Sequence, residues 1–217
     1  MNDESRLIRS MKTVSQGASY AVLIRHAERQ AIEMSSDFGD SVSITEKGAM
    51  ESSELGRSTF IGNLDGVFSS PLPRCVQTAS AIIKAAGLDS LAISTKNTLG
   101  RPGSYIDDPQ LAGKHFLTRD SRSIIRGYMD GGKLDGFLSL NEGSKRLISD
   151  VLCDFSPTRS SNLYVSHDAV IMPFISYYTG EKFSKEWLDF LDGVIITLQD
   201  GHVKMVWDGE PYSLEGF

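Results

Sequence analysis

The chain has 217 residues, of which 40% are hydrophobic and 23% charged, and its formal net charge is −6 at pH 7. This length suits one domain with a sizeable core, and the composition excludes disordered and fibrous classes. The negative charge excludes a sequence-independent grip on nucleic acid, which needs a surplus of lysine and arginine. An anion-binding site here must therefore be a local basic pocket.

The N-terminal stretch is polar and contains no apolar run of the kind that a secretory signal requires. No segment approaches the roughly 20 apolar residues that span a membrane. The two cysteines, Cys75 and Cys153, do not make a disulfide framework. These features predict a cytoplasmic protein that does not bind membranes, with residues 1–18 forming a loose arm.

Short apolar runs alternate with helical stretches along the rest of the chain. The predicted strands are Tyr20–Ile24, Gly66–Ser69, Leu91–Ser94, Asn162–Val165, Val194–Leu198 and Val203–Trp207. Helices are predicted at about 46–62, from Pro73 to about 87, at 142–154 and at 168–179.

This alternation predicts an α/β fold, a three-layer α/β/α sandwich with a mainly parallel sheet, in a single domain over residues 1–217. Asp200-Gly201, between the last two strands, is a hairpin signal, so one edge strand should be antiparallel. Residues 99–140 fit no strand and are rich in glycine, which predicts a lid inserted above the sheet.

Three polar clusters follow predicted strands or lie shortly after them. Arg25-His26 follows the first strand, Arg74 lies shortly after the second, and Ser166-His167-Asp168 follows the fourth. In open sheets of this kind, ligands bind beyond the carboxyl ends of the strands, so the clusters should meet at one edge. Arginine forks bind phosphate oxygens, and a neutral imidazole can attack phosphorus, so the clusters predict phosphate monoester chemistry.

The segments LIRHAER, SSPLPRCVQTA and VSHDA carry a family resemblance. In this order they resemble the histidine phosphatase (phosphoglycerate-mutase-like) superfamily, whose signature is Arg-His-Gly, then Ser-x-x-x-Arg-x-x-x-Thr-Ala, then a late histidine. The resemblance runs from about residue 20 to the end of the chain. The size and the Arg-His-Ala-Glu-Arg spelling look closer to small bacterial members such as lipopolysaccharide heptose phosphatases.

The resemblance implies a role for each matching residue and no metal or other cofactor. His26 would be the nucleophile, with Arg25 and Arg74 as phosphate clamps. His167 would donate to the phosphoryl oxygens in the transition state. Arg29 falls where the acid phosphatase branch has an additional phosphate-binding arginine, and the His167-Asp168 pair resembles that branch's His-Asp motif, in which the aspartate protonates the leaving oxygen.

Two departures from the family pattern affect these expectations. Ala27 replaces the usual glycine, so a positive φ would be costly there. The smaller branch takes its general acid from a glutamate after the second motif, and here no carboxylate occurs there until Asp107 and Asp108. Asp168 is favoured over these two as the acid, although an aspartate at a strand-to-helix junction is also a common helix cap.

A run of basic residues lies in the predicted lid: Lys114, His115, Arg119, Arg122 and Arg126. The last three would share a helical face. Such runs are usually solvated faces, and the alternative is a role in holding an additional anionic group.

The leading hypothesis is hydrolysis of a small phosphate monoester, with a sugar phosphate as one candidate, through a phosphohistidine. A phosphoglycerate-type mutase is the second option, disfavoured because the residues after His26 lack the Ser-Glu-Trp-Asn context of those mutases. A catalytically idle module that binds a phosphorylated ligand is the third, and the two histidines speak against it. The sequence leaves the natural substrate and the oligomeric state open.

Overall fold

The computed structural model describes residues 5–31, 39–58, 61–117, 120–156, 159–183 and 186–215. Its central sheet has seven strands. In chain order they are β1 (Ser19–Arg25), β2 (Gly66–Ser69), β3 (Ile93–Thr95), β4 (Ser161–Ser166), β5 (Gly193–Gln199), β6 (His202–Trp207) and β7 (Glu210–Ser213). Their spatial order is β3-β2-β4-β1-β5-β6-β7.

The strands β3, β2, β4 and β1 run parallel, whereas β5, β6 and β7 are antiparallel to their neighbours. The sequence predicted only one antiparallel edge strand, and the structure has three. Two tight turns explain the pairings of β5 with β6 and of β6 with β7, because Asp200-Gly201 and Asp208-Gly209 all have positive φ, as hairpin turns of two residues require. The second of these Asp-Gly pairs adds β7, which the sequence analysis missed.

Helices cover both faces of the sheet. They are α1 (Arg6–Lys12), α2 (Glu46–Gly56), α3 (Pro73–Ala85), α4 (Pro109–Phe116), α5 (Ser121–Met129), α6 (Leu140–Leu152) and α7 (Asp168–Thr179). β1 shows how the two cores are divided: Ala21 and Leu23 point into the core shared with α5, α6 and α7, and Val22 and Ile24 into the core shared with α1 and α3. The predicted α/β sandwich is confirmed.

The N-terminal segment, predicted as a loose arm, contains the helix α1. Ser5 caps this helix by accepting a hydrogen bond from the backbone of Ile8. Leu7 is buried, and the hydroxyl of Ser10 accepts a bond of 3.2 Å from the backbone N–H of Gly209. A single buried leucine and a capping serine are too weak a pattern to predict a helix of seven residues.

Other boundaries differ from the predictions by a few residues. The helix predicted over 46–62 ends at Gly56, where Arg57 already occupies the C-cap. Residues 99–140 contain α4 and α5, and an isolated bridge between Ile106 and Phe137 joins the two ends of that stretch. Its use as a lid stays a prediction. No helix in the described ranges is long and apolar enough to cross a membrane.

Candidate active site

The parallel pairing places the ends of three strands at one edge of the sheet. Arg25, at the end of β1, lies opposite Ser166, at the end of β4, and Ser69 of β2 lies opposite Val165. Beyond these ends the backbone N–H of His26 donates to the carbonyl of Ser166 at 2.9 Å, so the residues that follow β1 and β4 are held together. His26 and His167 are thereby brought side by side, as the sequence predicted.

The His26 imidazole is buried, and its ring centroid lies 5.2 Å from that of His167. Its Nδ1 lies 2.8 Å from the carbonyl oxygen of Ala27. A carbonyl only accepts, so Nδ1 carries the proton and Nε2 keeps its lone pair. Burial lowers the pKa of His26 to about 3, and the nearby charges of Arg74 and Arg25 act in the same direction. The ring is therefore neutral at physiological pH.

His167 has the opposite tautomer. Its Nδ1 lies 3.4 Å from Nη2 of Arg74, and a guanidinium can only donate, so Nδ1 accepts. Nε2 then carries the proton and lies 3.0 Å from the hydroxyl of Ser70. Burial holds the pKa of His167 well below its usual range, and the charge of Arg74 adds to this effect. This ring is therefore neutral, and its N–H lies against the hydroxyl of Ser70.

Arg74 lies in the first turn of α3, directly after Pro73 at the helix start. Proline suits this position because its ring presets the helical φ and the missing N–H has no helical partner there. The Arg74 side chain is buried, donates from Nη1 to the carbonyl of Gly39 at 2.8 Å, and has no hydrogen-bond partner at Nε. A buried guanidinium with a free donor is suited to receive an anion.

Arg25 is held on three sides. Nη1 donates to the carbonyl of Leu188 at 2.5 Å, Nη2 pairs with Oδ2 of Asp168 at 2.9 Å, and the guanidinium lies 4.2 Å from the ring centroid of Phe190. The indole Nε1 of Trp187 also donates to Oδ2 of Asp168, at 2.8 Å. Nε of Arg25 is buried and lacks a partner.

Arg29 is half-buried and donates from Nη1 to the carbonyl of Gln30 at 2.8 Å. Burial lowers the pKa of Arg29, and the charges of Asp168 and Arg122 also act on it, in opposite directions. These interactions show that its guanidinium belongs to the same electrostatic environment as Arg25 and Asp168. Its binding of phosphate stays a prediction.

Two helices begin at this edge without a side-chain cap. His167 is the N-cap of α7 and Leu72 that of α3, and neither side chain accepts from the helix backbone. The first N–H groups of a helix, together with its dipole, favour a negative charge. Both helix starts therefore add to the positive field of the arginines.

The three carboxylates considered as general acid lie in different settings. Asp168 is paired with Arg25, with 2.9 Å between Oδ2 and Nη2. Asp108 caps α4 by accepting from the backbone of Gln110 and Leu111. Asp107 is exposed to solvent. The structure thus brings Asp168 into the histidine and arginine cluster, and its assignment as the acid stays a prediction.

Ala27 is accommodated without strain. It is fully buried and is not among the residues of positive φ, so this backbone has no need of glycine. Its N–H donates to the hydroxyl of Thr78 at 3.0 Å, and this hydroxyl in turn donates to the carbonyl of Arg74 at 2.7 Å. The threonine of the second motif therefore ties the turn after β1 to the first turns of α3.

Four residues around the site were not singled out from the sequence: Ser70, Gly100, Trp187 and Phe190. A Cβ built on Gly100 would lie 2.3 Å from Cδ2 of His167, so only glycine fits against this ring. Ser70 belongs to the Ser-x-x-x-Arg part of the second motif, which was the available signal for it. The two aromatic residues precede β5 in a stretch without a motif, and no sequence signal pointed to them.

Residues 21–99 match the family model of the histidine phosphatase superfamily (branch 1). No curated protein matches the chain significantly. The matched residues hold the first two of the three motifs, LIRHAER and SSPLPRCVQTA, and VSHDA lies outside them. The predicted resemblance to heptose phosphatases is not confirmed by these comparisons.

Solved structures share the fold over most of their length. YhfR from Bacillus stearothermophilus is 17% identical, with a TM-score of 0.62 over 89% of this chain and 98% of that chain. A phosphoserine phosphatase from Entamoeba histolytica, in complex with 3-phosphoglyceric acid, is 19% identical, with a TM-score of 0.57 over 91% and 98%. A phosphoglycerate mutase from Bacillus anthracis is 16% identical, with a TM-score of 0.56 over 86% and 91%. At these identities the likeness concerns the fold alone.

Proposed function

We propose that the chain is a metal-independent phosphatase that hydrolyses a small phosphate monoester through a phosphohistidine at His26. The observation that carries this proposal is the pairing of two buried, neutral imidazoles, 5.2 Å apart, with the buried guanidiniums of Arg25 and Arg74. Sugar phosphates are the first class to test, because the spelling of the first motif resembles heptose phosphatases. The cytoplasm is the compartment that we expect.

The electrostatics of the site suit the substrate's charge. A phosphate monoester is close to a dianion at neutral pH. Arg25 and Arg74 each have a buried Nε without a partner, and both guanidiniums are charged at any physiological pH. A bound phosphoryl group would satisfy these donors and the starts of α3 and α7, while Arg29 would add a further positive charge. Binding therefore offsets the mutual repulsion of these cations.

The tautomers assign the two histidines different tasks. The free lone pair on Nε2 of His26 attacks phosphorus, a P–N bond forms, and the ester P–O bond breaks as the alkoxide leaves. The proton on Nδ1 remains bonded to the carbonyl of Ala27. The N–H at Nε2 of His167 donates to the phosphoryl oxygens as charge redistributes. The carboxyl group of Asp168 protonates the leaving alkoxide; water then attacks phosphorus and gives its proton to the resulting carboxylate, and the P–N bond breaks to release phosphate.

We assign protonation of the leaving group to Asp168. The ion pair with Arg25 suggests a second use for this carboxylate, which is to hold the guanidinium in place. Asp168→Asn separates the two roles. Removal of an acid slows an alkyl phosphate far more than an aryl phosphate, whose leaving group needs no proton, whereas removal of a positioning interaction slows both substrates alike.

The nucleophile is tested with His26→Ala and the isosteric His26→Asn, assayed on an aryl phosphate in the presence of a chelator. We expect both variants to lose turnover by at least about a thousandfold, because nucleophile and covalent intermediate are removed together. Lys84→Gln, on the exposed side of α3, serves as the matched control. Wild-type turnover by either His26 variant would rule the mechanism out.

A rapid quench with labelled substrate tests the intermediate directly. The wild type should give a phosphoprotein that is labile in acid and stable in base, and its label should map to His26. Failure to label with any phosphorylated metabolite that binds would instead indicate an idle binding module. Label that passes to a second position of the same acceptor, with no release of phosphate, would indicate a mutase.

A further inference from the structure

Two arginines of α5 lie over one indole ring. The guanidinium carbons of Arg122 and Arg126 lie 5.7 Å and 5.2 Å from the ring centroid of Trp187. The two residues are four positions apart and so share a face of the helix. Trp187 is itself buried, which fixes the ring that both cations contact. Arg119, which would extend this basic face, lies outside the described residues.

Neither arginine is neutralised by a carboxylate within the described part of the chain. Nε of Arg126 is buried without a hydrogen-bond partner, and Arg122 is exposed. Contact with an aromatic face uses the π surface of a guanidinium and leaves its in-plane N–H groups available. Trp187 therefore holds two cations together while their donors remain free.

This pair adjoins the phosphate site through a short chain of contacts. The indole N–H of Trp187, whose ring contacts both arginines, donates to Asp168. Asp168 in turn pairs with Arg25. The positive charge of Arg122 also disfavours the charged forms of Arg25 and Arg29, in addition to the larger effect of burial, which places Arg122 within electrostatic reach of both. The two groups of arginines are thus neighbours, joined by Trp187 and Asp168 and within electrostatic reach of each other.

The arginines of the phosphate site and of α5 together carry more positive charge than one bound phosphate offsets. Arg25, Arg29 and Arg74 carry three positive charges; Asp168 offsets one of them, and a dianionic phosphate offsets the other two. Arg122 and Arg126 are left over. We propose that these two arginines bind a second anionic group, a carboxylate or a second phosphate, on the substrate whose phosphoryl group reaches His26. This proposal rests on the proposed function and names the substrate class of the same site.

The test uses phosphonates, because their P–C bond is not hydrolysed and the wild-type protein can be titrated by calorimetry. One arm compares ω-carboxyalkyl phosphonates of increasing chain length with the corresponding ω-carboxamides, which differ only in charge at the far end. A second arm uses alkane bisphosphonates, to distinguish a carboxylate site from a phosphate site. The ratio of dissociation constants, amide over carboxylate or monophosphonate over bisphosphonate, is the readout.

We expect the wild type to prefer the doubly anionic probe at one or more chain lengths. Arg122→Gln/Arg126→Gln should reduce this preference by about tenfold for each charge-assisted hydrogen bond that the substitutions remove, and each single variant should show part of this reduction. Lys84→Gln, which removes one positive charge from the exposed side of α3, should leave the ratio unchanged. Two results would overturn the proposal: a wild-type ratio no greater than one for the carboxylates and no greater than about two for the bisphosphonates, whose two equivalent ends double binding statistically, or a ratio unaffected by the double variant.

The same proteins are assayed for turnover of an aryl phosphate, so that the two proposals fail separately. Turnover that depends on His26, without preference for a second charge, would leave the phosphatase standing and remove the second subsite. A preference that disappears in the double variant, without turnover by the wild type, would leave the subsite standing and remove the phosphatase.

Discussion

Replacing Gly100 by alanine should disable the site without replacing any group that takes part in the proposed reaction. Gly100 follows the short turn at Asn97–Leu99 and packs directly against His167. A Cβ at this position would lie 2.3 Å from Cδ2 and 2.5 Å from Nε2 of that ring, and 2.7 Å from the hydroxyl of Ser70. Nε2 of His167 and the hydroxyl of Ser70 are the hydrogen-bond donor and its partner.

The size of the effect follows from these distances. Carbon atoms in contact are normally about 3.5–4.0 Å apart, so the His167 ring has to retreat by more than about 1 Å. A misplacement of this size costs on the order of a hundredfold in rate. Overpacking in a filled core also costs about 1–3 kcal/mol of stability. We expect kcat/KM on an aryl phosphate to fall by about a hundredfold, together with a lower Tm.

The assay is steady-state kinetics combined with thermal unfolding. Gly113→Ala is the control, because a Cβ on this α4 glycine meets no atom within 4 Å. The decisive measurement is a double-mutant cycle with His167→Ala, which removes the ring that the new methyl group strikes. Gly100→Ala should slow the His167→Ala protein no further.

Two results would refute this reasoning. One is Gly100→Ala activity within threefold of wild type. The other is an equal loss from Gly100→Ala in the presence and in the absence of the His167 ring, since the damage would then act through some other group.

Further predictions concern positioning, pH and thiol reactivity. Trp187→Phe keeps the aromatic ring but removes the N–H bond to Asp168, a charge-assisted interaction worth about 1.5–3 kcal/mol, so kcat/KM should fall by roughly tenfold or more; an unchanged value would show that this bond positions nothing. His26 has its pKa lowered from 6.5 to about 3, so between these values the unfolded chain binds a proton that the folded chain does not. The stability due to the neutral ring is therefore complete above pH 6.5 and is lost on acidification. His26→Asn should reduce the decline in unfolding free energy between pH 6 and pH 4 by up to about 1.4 kcal/mol per pH unit. Denaturant titrations in which the two proteins give parallel curves would contradict this. Burial raises the pKa of Cys75 to about 12, so iodoacetamide should alkylate exposed Cys153 and spare Cys75 in the folded protein, as read by peptide mass spectrometry; equal labelling of both thiols would count against this environment.

The sequence predicted best those elements whose limits are set locally. β2 and α7 have the predicted bounds, Gly66–Ser69 and residues 168–179. Gly180, at positive φ, ends α7, and a glycine after an apolar helix is a strong local stop signal. α1 was missed because its stability comes from contacts with distant residues, such as the ion pair between Arg9 and Asp208.

The same distinction holds in the site. Arg25, His26, Arg74 and His167 were predicted to meet, because each lies at or shortly after the end of a parallel strand, and topology alone brings such ends together. Trp187 and Phe190 were not predicted, since they reach the site from a connection whose path depends on tertiary packing. Leu191 in this connection has φ of 59°, a conformation that is costly for leucine and that no sequence pattern would suggest.

The backbone bonds at the strand ends divide the molecule by function. His26 N–H is bonded to the carbonyl of Ser166, and Ser70 N–H to that of Val165, so both residues are fastened by their backbone to the end of β4 in the middle of the sheet. Arg122 and Arg126 instead lie on α5, a helix that makes neither of these two backbone bonds. Substitution of these two side chains should therefore change the binding of the proposed second anionic group while the backbone bonds of His26 and Ser70 stay in place.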